Sequence, residues 1–174
     1  MTITAKSRDV SSARRDLSTE NTPDNPLVQA LRRQVANGFV LYANYKHSHW
    51  HTYGPHFRDM HKLFDTFSRD VLETIDELAE RIRMIGQDPP AHLIEALDLS
   101  TVPVAAPHAT MREMIEEANR NQLVVIHELR NAAALADEHA DPGTVDLLSK
   151  TVRIHEKHEW WTRDILREGG ELRA

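Results

Sequence analysis

The spacing of apolar residues predicts a long helix near the start of the chain. Apolar residues recur there at intervals of three or four, so they share one helical face. They are Leu27, Leu31, Val35, Phe39 and Tyr42. Asn25 is a suitable N-cap, and Pro26 takes the first helical position, where no hydrogen bond from its nitrogen is needed. The pattern predicts helix A over about residues 26–52, ended by Gly54-Pro55.

A second apolar stripe predicts helix B over about residues 56–85, closed by Gly86. Its members are Phe57, Met60, Leu63, Phe64, Phe67, Val71, Ile75, Leu78, Ala79 and Ile82. A proline-rich loop over residues 88–90 follows, and we expect a short helix over residues 92–97. Residues 100–109, with two prolines, then form a crossover segment.

Two more long helices are predicted in the second half of the chain. The sequence Thr110-Met111-Arg112-Glu113 is a capping box that opens helix C, over about residues 111–139. Asp141-Pro142-Gly143 is a short turn, which places helix D antiparallel to helix C. Helix D covers about residues 143–168 and stops at Gly169-Gly170.

The order of these elements defines a fold class. Helices A and B form one hairpin, helices C and D form another, and a long connection joins the two. We therefore predict an all-α, ferritin-like four-helix bundle with a short extra helix in the B–C crossover. The bundle should cover residues 25–170. The polar residues 1–24 are expected to be a flexible N-terminal tail, and residues 171–174 a short C-terminal tail.

Composition narrows the function further. The 174 residues suffice for one domain with a substantial core. The absence of cysteine excludes disulfides, thiolate zinc sites and thiol nucleophiles. A net charge of −6 disfavours a generic nucleic-acid binder and is compatible with handling cations. The sequence has no apolar run long enough for a membrane span, and residues 1–10 lack the apolar core of a secretory signal, so we expect a cytoplasmic protein.

Metal-ligating residues are concentrated on helices A and B. The chain has 11 histidines, five of them around the end of helix A and the start of helix B. On helix B, His61 and Asp65 are four residues apart, and so are Asp76 and Glu80, so each pair shares a helix face and can bind one ion. His49 lies just before the turn between the two helices. These five residues are the candidate metal ligands.

The length of helix B requires two chains to complete one site. His61 and Asp76 are fifteen residues apart, which is about 22 Å along a helix. A second helix B, antiparallel across a two-fold axis near residues 70 and 71, would bring the two pairs together and form two equivalent sites. Imidazole and carboxylate ligands suit iron(II), zinc or manganese. A single-chain ferritin site is disfavoured, because the sequence contains no Glu-x-x-His.

The motifs around these ligands resemble those of the Dps family, the miniferritins. The matching segments are residues 45–50 (YKHSHW), Gly54-Pro55-His56-Phe57, His61, Phe64-Asp65 and residues 76–81 (DELAER). Residues 156–160 (EKHEW) also look like the last helix of that family. The resemblance covers about residues 26–168.

The resemblance implies a specific site and assembly. His49, His61 and Asp65 would come from one chain, and Asp76 and Glu80 from its partner. The family forms hollow homododecamers that bind iron(II), oxidise it, typically with hydrogen peroxide, and store a ferric mineral inside. Trp50 would then be either an electron donor that traps radicals or an aromatic residue of the interface.

Some residues go beyond this pattern. His155 or His158 of the last helix could be an extra ligand, and zinc could then compete with iron. Arg81 and Lys46 are expected to form ion pairs. By resemblance, Asp137, Asp141 and Asp146 near the C–D turn are candidates for a cation pore.

Other functions stay open from the sequence alone. One is a structural or DNA-protecting shell with little oxidase activity, although the only concentrated basic point is Arg14-Arg15. Another is a zinc-binding protein, which the surplus histidines favour. The complete set of five ligands favours iron(II) oxidation.

Overall fold

The computed structural model describes residues 23–107 and 110–167, and these residues form five helices and no strand. The helices are α1 (Pro26–His51), α2 (Phe57–Met84), α3 (Leu93–Leu99), α4 (Met111–Glu138) and α5 (Pro142–Leu166). The prediction of an all-α fold is confirmed. Residues 1–22 of the predicted N-terminal tail, residues 168–170 at the predicted end of the bundle and the predicted C-terminal tail, residues 171–174, lie outside the described residues. None of the described helices is both long and apolar enough to cross a lipid bilayer.

The four long helices pack as the two predicted hairpins. Helix α1 lies against α2, α4 lies against α5, and the hairpins meet where α1 contacts α4 and α2 contacts α5. The apolar stripes read from the sequence face one another in this bundle. Large side chains at its centre are fully buried, among them Leu31, Phe64, Phe67, Leu129 and Leu148. Burial of these stripes is the main term that stabilises the bundle.

The helix ends follow the predicted caps closely. The Asn25 side chain accepts a hydrogen bond from the Leu27 amide at 2.8 Å. Thr110 and Glu113 form the complete capping box at the start of α4. The boundaries differ from the predicted ones by one or two residues: α3 covers residues 93–99, and α5 begins at Pro142 and ends at Leu166. Such shifts are small, because helix ends fray and their assignment is soft.

Two buried asparagines of α1 hold the crossover segment. The Asn37 Oδ1 atom accepts hydrogen bonds from the Thr101 amide at 2.8 Å and the Ser100 hydroxyl at 3.0 Å. Two turns later, the Asn44 Nδ2 atom donates to the Pro103 carbonyl at 2.8 Å, and its Oδ1 atom accepts from the Ala105 amide at 2.8 Å. These bonds satisfy crossover backbone groups that no helix or sheet pairs.

Gly38 sets the separation of α1 and α2. A Cβ atom at this position would lie 2.6 Å from Ile75 Cγ1, far inside the van der Waals contact distance. The missing side chain therefore allows the two helices to approach closely. This approach fixes how the end of α1 meets the start of α2, where the candidate ligands lie.

We predict that Gly38→Ala destabilises the protein, although alanine is the better helix former by about 1 kcal/mol. Overpacking against Ile75 should cost about 1–3 kcal/mol and lower the melting temperature. Thermal unfolding at fixed protein concentration measures the effect. In an Ile75→Ala background the colliding Cγ1 atom is gone, so the same Gly38→Ala change should stabilise. A higher melting temperature for Gly38→Ala with Ile75 in place would contradict the packing argument.

Candidate metal centre

His49 and His61 form a reciprocal hydrogen-bonded pair at the end of α1 and the start of α2. Their rings stack with centroids 3.6 Å apart and an interplanar angle of 25°. The Nδ1 atom of His49 lies 2.8 Å from the His61 carbonyl, and the Nδ1 atom of His61 lies 2.9 Å from the His49 carbonyl. A carbonyl oxygen only accepts, so both Nδ1 atoms carry the proton. The geometry therefore directs Nδ1 of each ring to a carbonyl and leaves Nε2 as the atom that can bind a metal ion.

The turn between the helices makes this pairing possible. Gly54 has a φ of +78°, in the left-handed region that suits glycine, and this reverses the chain between α1 and α2. Thr52, the C-cap of α1, donates its hydroxyl to the His49 carbonyl at 3.0 Å. The Phe57 ring packs on His61 with centroids 5.1 Å apart. The role of Thr52 was not predicted from the sequence. Its position directly after the histidines was the one signal that could have indicated it.

Asp65 lies one turn after His61 on α2 and is ionised. Its carboxylate pairs with Lys46 at 3.3 Å and with Arg69 at 3.5 Å, and about 40% of the side chain is exposed. The hydrogen bond from Lys46 is the largest influence that lowers the pKa of the Asp65 carboxyl below its ordinary value. The expected ion pair of Lys46 is thus present. The ionised carboxylate has the charge that a cation ligand needs.

Asp76 and Glu80 are exposed on α2, on the same helix but well beyond the reach of His61. Neither carboxylate forms a hydrogen bond or an ion pair with another residue of the described ranges. Within a single chain, the described residues contain no group of three or more histidines and carboxylates arranged to hold a metal. Within one chain the structure therefore brings only His49 and His61 together; Asp65 follows one turn later on α2, and Asp76 and Glu80 lie further along the same helix.

Trp50 and Arg81 lie beside predicted ligands but differ in their surroundings. The Trp50 side chain is 70% exposed, so it is not part of the core of the single chain. Arg81 is half-buried and pairs with Asp141 at 2.6 Å, joining α2 to the start of α5. The expected ion pair of Arg81 is therefore present, and its guanidinium also donates to the Thr144 hydroxyl at 2.8 Å.

His155 and His158 of α5 lie in the bundle core. The His155 Nδ1 atom donates to Gln122 Oε1 at 2.7 Å, and the other end of the Gln122 amide donates to the Tyr45 hydroxyl. His158 is fully buried, stacks on Phe67 with centroids 4.1 Å apart, and bonds through Nε2 to Asp70 at 3.0 Å. The geometry gives no support to an extra ligand role for either histidine, because both are engaged in this core network.

Burial keeps these two histidines neutral. It lowers the pKa of His155 to about 3, and it lowers the pKa of His158 to about 4 against the opposing effect of Asp70. Burial alone would raise the pKa of the Asp70 carboxyl, but hydrogen bonds from Lys157 and His158 outweigh it and lower that pKa. The network thus pairs the ionised Asp70 carboxylate with the neutral His158 ring, and the neutral His155 ring lies next to His158 with centroids 6.1 Å apart.

The acidic residues at the α4–α5 turn line a surface depression of about 470 Å³. Asp137 and Asp146 are exposed there. Asp141 has a structural task, because it caps α5 by accepting from the Thr144 amide at 3.0 Å and also pairs with Arg81. Burial raises the pKa of Asp141, but these hydrogen bonds outweigh it and the pKa is lowered.

The two helical hairpins and the long crossover with its short helix define a ferritin-like protein. A profile of the ferritin-like domain family matches residues 28–171. The DNA protection during starvation protein of Brevibacillus brevis is 35% identical over 130 residues, which are 75% of this chain and 87% of that protein. The chain belongs to the Dps family within the ferritin-like proteins.

Solved structures agree with this assignment. The X-ray structure of Dps from Thermosynechococcus elongatus is similar with a TM-score of 0.83 and 38% identity, over 93% of this chain and 99% of that one. Dps from Vibrio cholerae O1, described as a member of a broad superfamily of ferritin-like diiron-carboxylate proteins, has a TM-score of 0.78 and 29% identity. That match covers 81% of this chain and 89% of the other. The predicted ferritin-like fold is therefore confirmed.

We predict that stability falls as the pH drops from 6.5 toward 4. The folded-state pKa values of His155 and His158 lie below the ordinary value of 6.5, so the unfolded chain binds protons first. Each histidine then removes up to about 1.4 kcal/mol per pH unit. His158→Phe, which keeps the stacking on Phe67, should roughly halve this slope in urea denaturation. The exposed control His127→Asn should leave it unchanged. An unaltered slope in His158→Phe would contradict the assignment.

Proposed function

We propose that this chain binds iron(II) at a site shared by two subunits, oxidises it with hydrogen peroxide and stores the ferric product in a hollow homododecamer. The observation that carries the proposal is the reciprocal His49–His61 pair, which leaves two Nε2 lone pairs free beside an ionised Asp65. The unpaired carboxylates of Asp76 and Glu80 supply the second half. Family membership supports the same chemistry, since a related Dps is described as a diiron-carboxylate protein.

The ligand set suits iron in both oxidation states. Imidazole nitrogen binds iron(II) well, and carboxylate oxygen, a hard and charged ligand, favours the ferric product. Oxidation of two iron(II) ions releases two electrons, which break the O–O bond of one peroxide. With two protons the products are two waters. Consumption of iron(II) and peroxide together limits the formation of hydroxyl radicals.

The two halves of the site must come from different chains. His61 and Asp76 are about 22 Å apart along α2. A two-fold axis near residues 70 and 71 would place Asp76 and Glu80 of the partner subunit beside His49, His61 and Asp65, and the symmetry makes two such sites per dimer.

Exposed apolar residues support such a dimer. Leu72, next to the proposed axis, is 48% exposed, and α3 exposes Leu93, Ile94 and Leu97. Large apolar side chains left exposed on a single chain are typical of surfaces that a partner covers. We propose that Leu72 lies in the two-fold interface from which the dodecamer is built.

Trp50 and the acidic depression have proposed supporting roles. When peroxide meets only one iron(II), the exposed Trp50 indole can supply the second electron and lose its N–H proton; an aromatic contact at the interface is its alternative role. Asp137 and Asp146 would attract cations to a pore, together with Asp141 through its remaining charge. We place this activity in the cytoplasm, a reducing compartment that suits a chain without cysteine.

Two other functions are outcomes of the same test rather than parts of the proposal. A structural or DNA-protecting shell would keep its assembly but show little oxidation. A zinc-binding protein would hold zinc at these ligands, where zinc would also compete with iron. The net charge of −6 disfavours contact with DNA, because the DNA phosphates are negatively charged as well.

Mixed assemblies test whether the site is shared. His49→Asn/His61→Asn removes both Nε2 ligands but keeps an amide donor near each Nδ1 position. Asp76→Asn/Glu80→Gln removes the carboxylate charges at constant size. Each variant alone should lose rapid peroxide-driven iron(II) oxidation, followed by ferric absorbance. Coexpressed at equal levels, the two should recover about a quarter of the wild-type sites, because half the dimers are mixed and each has one intact site.

The control is Asp59→Asn/Glu77→Gln, which removes the same charges from another face of α2 and should oxidise iron(II) at the wild-type rate. Size-exclusion chromatography checks that every variant assembles. Wild-type activity no faster than that of the variants would sink the oxidase proposal and favour a structural or zinc-binding role. Two inactive single variants with no recovery in mixed shells would show that the site is not shared.

A further inference from the structure

The last two turns of α1 carry a second pair of histidines, His47 and His51, that the proposed iron site does not use. They are four residues apart and therefore lie about 40° apart around the helix. Their ring centroids are 4.1 Å apart. His49 lies roughly 160° from both of them around the helix axis, so the pair faces away from the iron ligands.

His51 has the same tautomer as the histidines of the iron site. Its Nδ1 atom lies 2.8 Å from the His47 carbonyl and must donate to it. The Nε2 atom of the neutral ring is therefore a free electron-pair donor. An acceptor that fixes the proton on one ring nitrogen is the arrangement that prepares the other nitrogen for a metal.

The Nε2 atom of His47 is buried and has no hydrogen-bond partner among the described residues. Buried polar atoms in folded proteins almost always have a hydrogen-bond or metal partner, so we expect one for this nitrogen. Its neighbour on the same face is the exposed His51 ring, which the bond to the His47 carbonyl holds in place. A cation between the two rings would satisfy both nitrogens at once.

The position on the helix favours a cation as well. Both histidines lie near the carboxyl end of α1, where the unpaired carbonyls carry partial negative charge. Two histidines spaced four apart on a helix are a known arrangement for binding zinc. The described residues add no carboxylate that would complete a three-ligand group.

We propose that His47 and His51 form a two-histidine site for a divalent cation of the zinc and copper class, completed by water. Two neutral nitrogen ligands bind copper(II) and zinc(II) more strongly than iron(II), and they offer little to the hard ferric ion. The ligands for zinc or copper and the ligands for iron then lie on opposite faces of α1.

Zinc titration of the assembled protein tests the site. In a His49→Asn/His61→Asn background, calorimetry should find a zinc site that disappears when His47→Asn/His51→Asn is added. The asparagine at position 51 keeps a donor for the His47 carbonyl, so the helix end is preserved. His51→Asn alone should abolish the same site, because both nitrogens are required. The control His127→Asn/His139→Asn removes two exposed histidines elsewhere and should leave the zinc stoichiometry unchanged.

Copper(II) identifies the ligands. Electron paramagnetic resonance should show coupling to two imidazole nitrogens in the His49→Asn/His61→Asn protein, and this coupling should vanish in the His47→Asn/His51→Asn variant. In the otherwise wild-type chain, His47→Asn/His51→Asn should oxidise iron(II) at the normal rate. That result separates this proposal from the proposed function. An unchanged zinc stoichiometry, an equal loss in the His127 and His139 control, or coupling to a single nitrogen would overturn it.

Discussion

The reciprocal bonds between His49 and His61 are the interaction on which the site depends. Each imidazole donates to the carbonyl of the other residue, at 2.8 and 2.9 Å. The same two bonds tie the end of α1 to the first turn of α2 and fix which nitrogen of each ring faces outward. Because a helix end leaves unpaired carbonyls, the His49 carbonyl needs partners, and the His61 ring and the Thr52 hydroxyl both donate to it. The same two hydrogen bonds therefore stabilise the turn and orient the ring nitrogens that are proposed to bind metal.

A second constraint is the stiffness of α2. A helix cannot bring residues fifteen positions apart to one ion, so His61 and Asp76 stay about 22 Å from each other. The ion pairs of the chain also differ between the two ends of α2. Lys46 already accompanies Asp65, whereas Asp76 and Glu80 have no partner among the described residues. If the proposed site is correct, assembly and chemistry are inseparable, because a lone subunit holds only half of each site.

The sequence predicted the helices because they leave a local pattern, and the same kind of pattern indicated the candidate ligands, which stay a prediction. Apolar residues at a spacing of three or four gave the bundle, and caps such as Asn25 and Thr110 gave the helix starts. Contacts between distant segments left no such pattern. The bonds of Asn37 and Asn44 to the crossover join residues about 60 positions apart. Likewise, the motif around His158 suggested a ligand, but its surroundings, Asp70 and Phe67, are set by helix packing. The sequence indicated Asp141 as a pore residue, whereas its ion pair with Arg81 joins residues 60 positions apart and leaves no local pattern.

Anomalous diffraction at the iron edge, from crystals exposed to iron(II), tests the shared site most directly. Iron should lie at bonding distance from the Nε2 atoms of His49 and His61 and from the Asp65 carboxylate. The carboxylates of Asp76 and Glu80 of the partner subunit should complete the site. Two such sites should be related by a two-fold axis that crosses α2 near residues 70 and 71. Iron held by ligands of one chain alone, or no iron beside His61, would contradict the account.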